Sequence, residues 1–531
     1  MRLFDFRIRI RSTPQVKRII CHLFVATIGH NHPIMLPQSR SRIRRRKAEG
    51  RVRPFSMAHY AFGMMSLHIV VAEAFIQPIA SSTPAVPVAT AAGPMAAPPA
   101  RIATTLHVTS DIKSKVRRGK AKAKRKSTSA NSKTSLESAA STSSSANVLV
   151  RTLQAECHTP SLILSKVGTK LSPSIDSDGR VSSLVLVRMA KLAVEQMNAA
   201  LFAPESAGVA SFDLWDDEDD QTALDTLSTV CSTLGTAIES NSAELENAVE
   251  GIKATGVLSR ILAKSGVECG VISSSFRPLV QSFQKLHFDE EEKMEEHHLS
   301  GLRWSFDNLS YSFGVANEES DIMPAHLSEA YQDIAIPFRI KPGLLDSVAD
   351  LSVKNLSTQV QFKAETIKTT KTGKSVKERR LTAWEGESED IPGFAYSSKV
   401  MKTRPFSPLV RSVRDELRAK TGEDYDCCLL NLYPDGESGM RYHIDPDQGE
   451  LWGYETAVVS VGAARRFAFR PIPGIDLEGN IGKVHNFVVM DGDVTEMFGQ
   501  CQKKYQHTVK TAEGRGETAS RSSLVYKKTL R

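Results

Sequence analysis

The segment NLYPDGESGMRYHIDPD, residues 431–447, carries the strongest structural signal in the chain. It begins as an apolar strand, turns at a Pro-Asp-Gly sequence and ends in a His-Ile-Asp triplet. Side chains at positions i and i+2 of a strand lie on one face, so His443 and Asp445 can hold the same ion. His507, on a later strand, can supply a third ligand.

Short apolar or alternating runs surround this segment and are separated by turns rich in Gly, Asp and Pro. Such a series is typical of an antiparallel sandwich or jelly roll. We therefore predict an all-β double-stranded β-helix, or jelly roll, with flanking helices over residues 335–531. The runs are VQFKAET, LTAWEGE, CCLLNLYPDGE, ETAVVSVGAARRFAFRPI, HNFVVMDGDV and SSLVYKK.

Two histidines and one carboxylate leave three positions of an octahedral ion open, as in non-haem Fe(II) oxygenases. A dicarboxylate cosubstrate that chelates such an iron needs a cation at its far end. Arg521, in the strand RSSLVYK, offers a fork that matches a carboxylate. His485 competes with His507 as the third ligand, but no arginine follows His485 at the expected distance. We therefore favour His507.

These motifs resemble the AlkB-like dioxygenases. Residues 431–447 are similar to the family's N-x-Y-x-D-G segment that ends in H-x-D, and ETAVVSVGAARRFAFRP to its S-x-G-x-x-R-x-F-x-F-R strand pair. DGDVTEMFGQCQKKYQH is similar to its G-D-V to Y-x-H segment, and RSSLVYK to its terminal R-x-N-L-T-F-R. The resemblance implies Fe(II) bound by His443, Asp445 and His507, and 2-oxoglutarate held by Asn431, Tyr433 and Arg521.

The resemblance also implies an activity, the oxidative removal of alkyl groups from nucleic-acid bases. Dioxygen and 2-oxoglutarate would be consumed, and succinate, carbon dioxide and an aldehyde released. We favour N-alkylated DNA, and hence DNA repair. The alternatives are an RNA demethylase, a protein or small-molecule hydroxylase on the same fold, and a non-catalytic nucleic-acid-binding adaptor.

The terminal motif departs from the family at two positions. Lys527 replaces its final arginine and Ser523 replaces its asparagine. Lysine keeps the charge and loses the bidentate fork. On an extended strand Arg521 and Lys527 lie on one face but roughly 20 Å apart, at about 3.3 Å per residue. We therefore assign the cosubstrate anchor to Arg521 and a secondary cosubstrate role to Lys527.

Four residues are candidate substrate contacts. Asp447 stands where the family places an acid that meets the exocyclic amino group of the damaged base, and its alternative role is that of a turn residue. A flipped base is commonly sandwiched by aromatic rings. Because GFAYSS resembles the family's lid, Tyr396 is the first stacking candidate, followed by Phe394 or Trp384. Core packing is the alternative for all three.

Charge favours polyanionic partners, nucleic acid first. The chain carries a formal net charge of +8 with a pI near 9.0. Residues 1–147 read as a disordered, basic arm rich in Pro, Ala and Ser. Within it, residues 113–126 resemble a nuclear localisation signal, so we favour the nucleus, and the Arg-rich opening leaves a mitochondrial or plastid targeting segment as the alternative. Residues 363–380 form a cationic, hairpin-like segment suited to phosphate contacts, or a merely soluble loop.

Residues 148–330 show helical spacing, and we predict an all-α region of unknown function and unknown protein partners. Its four consecutive residues 295–298, Glu-Glu-His-His, do not predict a metal site, because neighbours on a helix point in different directions. We expect a solvated helix face there. The 7 cysteines, an odd number without CxxC spacing, indicate neither a disulfide framework nor a zinc site. Residues 60–79 are apolar but carry His68 and Glu73, whereas a membrane span needs a largely uncharged run. We therefore predict no membrane partner.

Overall fold

The computed structural model describes residues 133–201, 214–215, 220–286, 294–315, 321–368, 373, 375–396, 399–475, 483–512 and 518–530. These residues belong to one compact unit, Ser129–Arg531. Most of the predicted basic arm, including its targeting and localisation segments, lies outside the described residues. No helix in the described ranges is both long and apolar enough to span a membrane.

Helices precede the first strand, as predicted. Their bounds are α1 (Lys133–Ala155), α2 (Pro160–Lys166), α3 (Arg180–Leu201), α4 (Asp220–Glu239), α5 (Leu245–Lys264), α6 (Cys269–Ser282), α7 (Glu296–Ser312) and α8 (Ala325–Ile334). Helix α1 begins inside the stretch predicted to be disordered. Helix α5 is buried between its neighbours and approaches α7 closely at Gly256, where a Cβ would lie 3.2 Å from Ser305 Cα. A larger residue there would force the two helices apart.

The strands of the described residues include at least one in each predicted run and others that no run predicted. They are β1 (Phe338–Lys341), β2 (Lys363–Lys368), β3 (Ser375–Gly386), β4 (Phe394–Tyr396), β5 (Lys399–Met401), β6 (Arg404–Pro405), β7 (Cys427–Tyr433), β8 (Thr456–Gly462), β9 (Arg465–Pro471), β10 (His485–Val489), β11 (Val494–Met497), β12 (Tyr505–Val509) and β13 (Arg521–Lys527). The major sheet has the order β1-β11-β8-β13-β7-β3-β2, with β6 beside β3. A second sheet has the order β10-β9-β12, and β4 pairs with β5.

Strand β13 lies inside the major sheet between β7 and β8 and is buried along its whole length. Val525 packs in the core that the second sheet fills with Phe467 and Phe487. Leu524 and Tyr526 point the opposite way, into a core covered by two helices. The two sheets thus enclose one interior, as in the predicted jelly roll. The remaining helices are α9 (Val353–Gln359), α10 (Pro408–Thr421) and α11 (Cys501–Lys504).

Polar contacts fix the helical region to the sheets. Arg260 of α5 reaches Asp493, just before β11, with Nη2 2.7 Å from Oδ1, and both side chains are buried. Asn198 of α3 donates to the Ala464 carbonyl at 3.2 Å and accepts from the Ala464 amide at 2.8 Å. Helices and strands share one hydrophobic core. The predicted domain limits, 1–147, 148–330 and 335–531, stay a prediction.

The buried ion pair yields a first prediction. Replacing Arg260→Met leaves the Asp493 carboxylate buried without its cation, and we expect the free energy of unfolding of the full chain to fall by about 3 kcal/mol or more. Urea denaturation measures the change. The matched control is Lys264→Met, on the same helix, because Lys264 is partly exposed and lies 3.5 Å from Asp346. We expect a loss below about 1 kcal/mol there. Equal losses in both variants would contradict the assigned role.

Candidate active site

His443, Asp445 and His507 lie together, with Asp445 and His507 buried, His443 partly exposed, and one donor atom of each within 4.8 Å of the others. Asp445 Oδ1 is 3.5 Å from His443 Nε2 and 3.6 Å from His507 Nε2. His443 pairs with His507 across an antiparallel bridge, through amide-to-carbonyl hydrogen bonds of 3.1 and 2.9 Å. This pairing, rather than a continuous strand through 443–445, sets the two imidazoles side by side, with ring centroids 4.2 Å apart.

The surroundings orient both imidazoles. His443 Nδ1 lies 2.9 Å from the Arg441 carbonyl, to which it can donate, so that Nε2 faces Asp445. The His507 ring packs parallel to Phe467. Burial and the neighbouring His443 lower the pKa of His507 to about 3, so its imidazole is neutral at physiological pH. Two imidazoles and a carboxylate facing one point fit an Fe(II) ion.

Lys527 contacts the aspartate of this cluster. Its Nζ lies 2.6 Å from Asp445 Oδ2 and 3.0 Å from Gln448 Oε1, and the lysine is fully buried. Burial raises the pKa of Asp445, but Lys527 and the two histidines outweigh burial and hold that pKa well below its ordinary value. Lys527 therefore binds Oδ2 of Asp445, and Oδ1 faces the two imidazoles. Its predicted role towards the cosubstrate stays a prediction.

The predicted cosubstrate residues are neighbours on two paired strands. Arg521 is opposite Tyr433, and Ser523 is opposite Asn431. Arg521 is fully buried and donates through Nη2 to the hydroxyls of Ser460 and Ser523, at 3.1 and 3.2 Å. Its Nε and Nη1 have no hydrogen-bond partner in the described part of the chain. Burial lowers its pKa to about 10. A buried guanidinium with two unpaired nitrogens fits a carboxylate.

The structure corrects the expectation for Phe394 and Trp384. Each is only 2% exposed, and both rings pack against Trp452 in the core. The Trp384 indole N–H also donates to Thr403 Oγ1 at 3.0 Å. Because these rings are already covered on their faces by core neighbours, they do not offer a stacking surface to a base.

The other two substrate candidates lie in turns or at strand ends. Tyr396 ends β4, and its side chain lies outside the described residues. Asp447 has a φ of +57°, in the left-handed region that Asp tolerates. Its carbonyl accepts the amides of Glu450 and Leu451, at 3.1 and 2.9 Å, which makes it a turn residue as the alternative predicted. Its contact with substrate stays a prediction.

The sequence did not lead us to two residues that support the site. Gln502 Oε1 accepts the Asp445 amide at 3.1 Å, and Arg380 Nη1 donates to Asn431 Oδ1 at 2.9 Å. Arg380 is buried on β3 and shares its inward face with Trp384, so the two-residue period could have identified it. Gln502 lies in the short helix α11, where no sequence pattern distinguishes it.

His485, the alternative third ligand, lies elsewhere. Its side chain is 1% exposed, and its Nδ1 is 2.7 Å from Ser300 Oγ of α7. Its ring packs edge-on against Tyr505. It is therefore held by the helical region and is not among the clustered donor atoms around Asp445.

Comparison with known proteins finds a family and several relatives. Residues 337–526 match the family model of the 2OG-Fe(II) oxygenase superfamily. Uncharacterized protein R406 of Acanthamoeba polyphaga mimivirus is 32% identical over 154 residues, 29% of this chain and 75% of that protein. Alpha-ketoglutarate-dependent dioxygenase alkB homolog 3 of Homo sapiens is 27% identical over 223 residues, 41% of this chain and 76% of that protein.

A shorter match joins DNA oxidative demethylase ALKBH2 of Bos taurus, 32% identical over 77 residues, which cover 14% of this chain and 28% of that protein. The family match includes His443, Asp445, His507 and Arg521. Lys527 lies just beyond its end, and the helices α1–α8 lie before its start.

The two candidate third ligands can be separated by metal binding. We expect His507→Ala to lose Fe(II) binding, because it removes one of three clustered donor atoms. His485→Gln should bind Fe(II) as tightly as the unsubstituted chain. Anaerobic Fe(II) titration of both purified variants checks this. Loss of Fe(II) in His485→Gln, with binding retained in His507→Ala, would reverse the assignment.

The Lys527 contact gives a second metal-binding prediction. In Lys527→Met the Asp445 carboxylate loses the group that fixes Oδ2, and we expect Fe(II) affinity to fall about tenfold or more, as when outer partners of metal ligands are removed. The matched control is Lys528→Met, since the adjacent Lys528 is exposed. Equal affinities of the two variants would show that Lys527 does not position the aspartate.

Proposed function

Since the chain belongs to the 2OG-Fe(II) oxygenase superfamily and is an AlkB-like dioxygenase that uses Fe(II) and 2-oxoglutarate, we propose that it dealkylates nucleic-acid bases oxidatively, DNA first. The observation that carries the proposal is the similarity to a protein named DNA oxidative demethylase and to alkB homolog 3, beside a family match that includes the clustered residues. Because the chain is a dioxygenase, the alternative of a non-catalytic adaptor is set aside.

We propose that His443, Asp445 and His507 hold the iron. Fe(II), 2-oxoglutarate and dioxygen together supply the oxidation that converts an N-methyl group into an N–H group and formaldehyde, with succinate and carbon dioxide as the other products. The residues of the chain orient these partners. The Arg441 carbonyl fixes the His443 ring, and Lys527 fixes the Asp445 carboxylate, so that three donor atoms face one point.

We propose that Arg521 binds the carboxylate of 2-oxoglutarate that is remote from the iron, with Asn431 and Tyr433 beside it. Binding would pair both unsatisfied nitrogens of the guanidinium, Nε and Nη1, and supply an anion to this buried charge. The hydrogen bond from Arg380 keeps the Asn431 amide in place. Specificity for a diacid over a monoacid follows, because a monoacid would leave Arg521 unpaired.

The surface next to the site supports a polyanionic substrate. Strands β2 and β3 form the antiparallel hairpin predicted for the cationic segment, with Lys363, Lys377 and Arg379 exposed. The residues 369–372 at its tip lie outside the described residues. Phosphate contacts from such cations position a strand without reading its sequence. With the basic run at residues 113–126, this favours nucleic acid as substrate and the nucleus as location.

Coupled product formation tests the proposal. The Fe(II)-loaded enzyme is given 2-oxoglutarate with single-stranded DNA containing N1-methyladenine, with the unmethylated strand, or with the methylated RNA of the same sequence. We expect methylated DNA to stimulate succinate release and to yield an equal amount of formaldehyde. His443→Ala should abolish both products, and His158→Ala, an exposed histidine, should keep them.

Two other results would redirect the assignment. Stimulation by methylated RNA alone would make the enzyme an RNA demethylase. Succinate release that no nucleic acid changes, and that is still lost in His443→Ala, would contradict base dealkylation and favour a protein or small-molecule substrate.

A further inference from the structure

Helices α5 and α7 begin side by side and bring Glu246, His297 and His298 together. His298 Nε2 lies 2.9 Å from Glu246 Oε2, and the two imidazole centroids are 3.9 Å apart. One donor atom from each of the three residues lies within 4.8 Å of the others. Glu295 adds a second carboxylate, with Oε2 3.4 Å from His297 Nδ1.

The prediction of a solvated helix face at residues 295–298 is wrong. Glu295 is the extended residue before α7, with φ −71° and ψ 153°, so its side chain is not bound by helical directions. The His297 and His298 side chains are only 14% and 10% exposed. The first turn of α7 therefore presents both rings to the start of α5 instead of to water.

Both histidines bury a nitrogen that has no hydrogen-bond partner. Within the described residues the Nδ1 atoms of His297 and His298 are inaccessible to water and make no hydrogen bond, and Glu295 Oε2, 3.4 Å from His297 Nδ1, lies outside hydrogen-bond geometry. A buried polar atom left unpaired costs about 1–3 kcal/mol. Three donor side chains that meet in a largely buried cluster, His298 facing Glu246 through Nε2, indicate that a ligand belongs there.

We propose that Glu246, His297 and His298, with Glu295 at the fourth position, bind a divalent transition metal ion of the zinc class. Two imidazoles and two carboxylates suit zinc, whereas calcium and magnesium prefer oxygen ligands throughout. The Glu246 side chain is 62% exposed, which gives the ion a path from solvent. The cluster lies in the helical region, before residue 337 where the family match begins.

The ion would tie the start of α5 to the start of α7. Helix α7 also contacts the second sheet, because Glu296 accepts a hydrogen bond from the Tyr505 hydroxyl and Ser300 bonds to His485. Tyr505 begins β12, the strand that carries His507. The bound ion would therefore stabilise the helix that supports one of the proposed iron ligands, without taking part in the reaction.

Zinc binding in the full chain tests the proposal. The double variant His443→Ala and Asp445→Ala removes the other candidate metal site, so that zinc bound after chelator treatment reports the second one. We expect one equivalent of Zn²⁺ in competition with a chromophoric chelator, and a higher melting temperature on adding Zn²⁺. Adding Glu246→Gln or His297→Ala should weaken binding at least about tenfold. Glu250→Gln, one turn further along α5, should leave it unchanged.

The same substitution in the otherwise intact chain is a second measurement that does not depend on the double variant folding. The intact chain should bind two metal equivalents, and Glu246→Gln one. The proposal is overturned if the double variant binds no zinc, or if Glu246→Gln and His297→Ala bind it as tightly as their parent. Cobalt absorption typical of four-coordinate sites, lost in His297→Ala, would support it further.

Discussion

The rest of the site depends on two positive charges that are buried on one strand. Arg521 and Lys527 are fully buried on the inward face of β13, in the middle of the major sheet. Removing a cation from water costs several kcal/mol unless an anion compensates. Lys527 is paired with the Asp445 carboxylate, whereas the hydrogen-bond partners of the Arg521 side chain among the described residues are two serine hydroxyls. Asp445, one of the three proposed iron ligands, therefore lies where one charge is paired, and Arg521 is where we propose that the remote carboxylate of 2-oxoglutarate binds.

The helical region also contains a buried positive charge that an anion must compensate. Arg260 is buried in α5, and Asp493 before β11 compensates its charge. Asn198 satisfies both backbone groups of Ala464 at the turn between β8 and β9. A turn held through its own amide and carbonyl has little freedom to shift. The helices thus stabilise the loops at one end of the jelly roll and are not merely attached to it.

Patterns that repeat within one segment could be predicted from the sequence, and contacts between distant segments could not. The alternation of apolar residues predicted strands, and the spacing of the motifs predicted that His443 and His507 lie near Asp445. The contact between Lys527 and Asp445 depends on which strand passes beside which loop, so strand spacing alone suggested a different role. An aromatic residue such as Phe394 suits either a core or a base-stacking face, so its residue type alone could not decide between the two roles. The burial of His297 depended on where α7 begins.

The alternation along β13 makes its length as important as its composition. One inserted or deleted residue between Arg521 and Lys527 would turn one of the two cations towards the opposite core, where Tyr526 donates its hydroxyl to a helix carbonyl. The buried Glu385 carboxylate on that side already accepts two hydrogen bonds from Ser407. Iron binding, cosubstrate binding and folding would then fail together. Strand β13 can therefore change by substitution far more readily than by any change in the number of its residues.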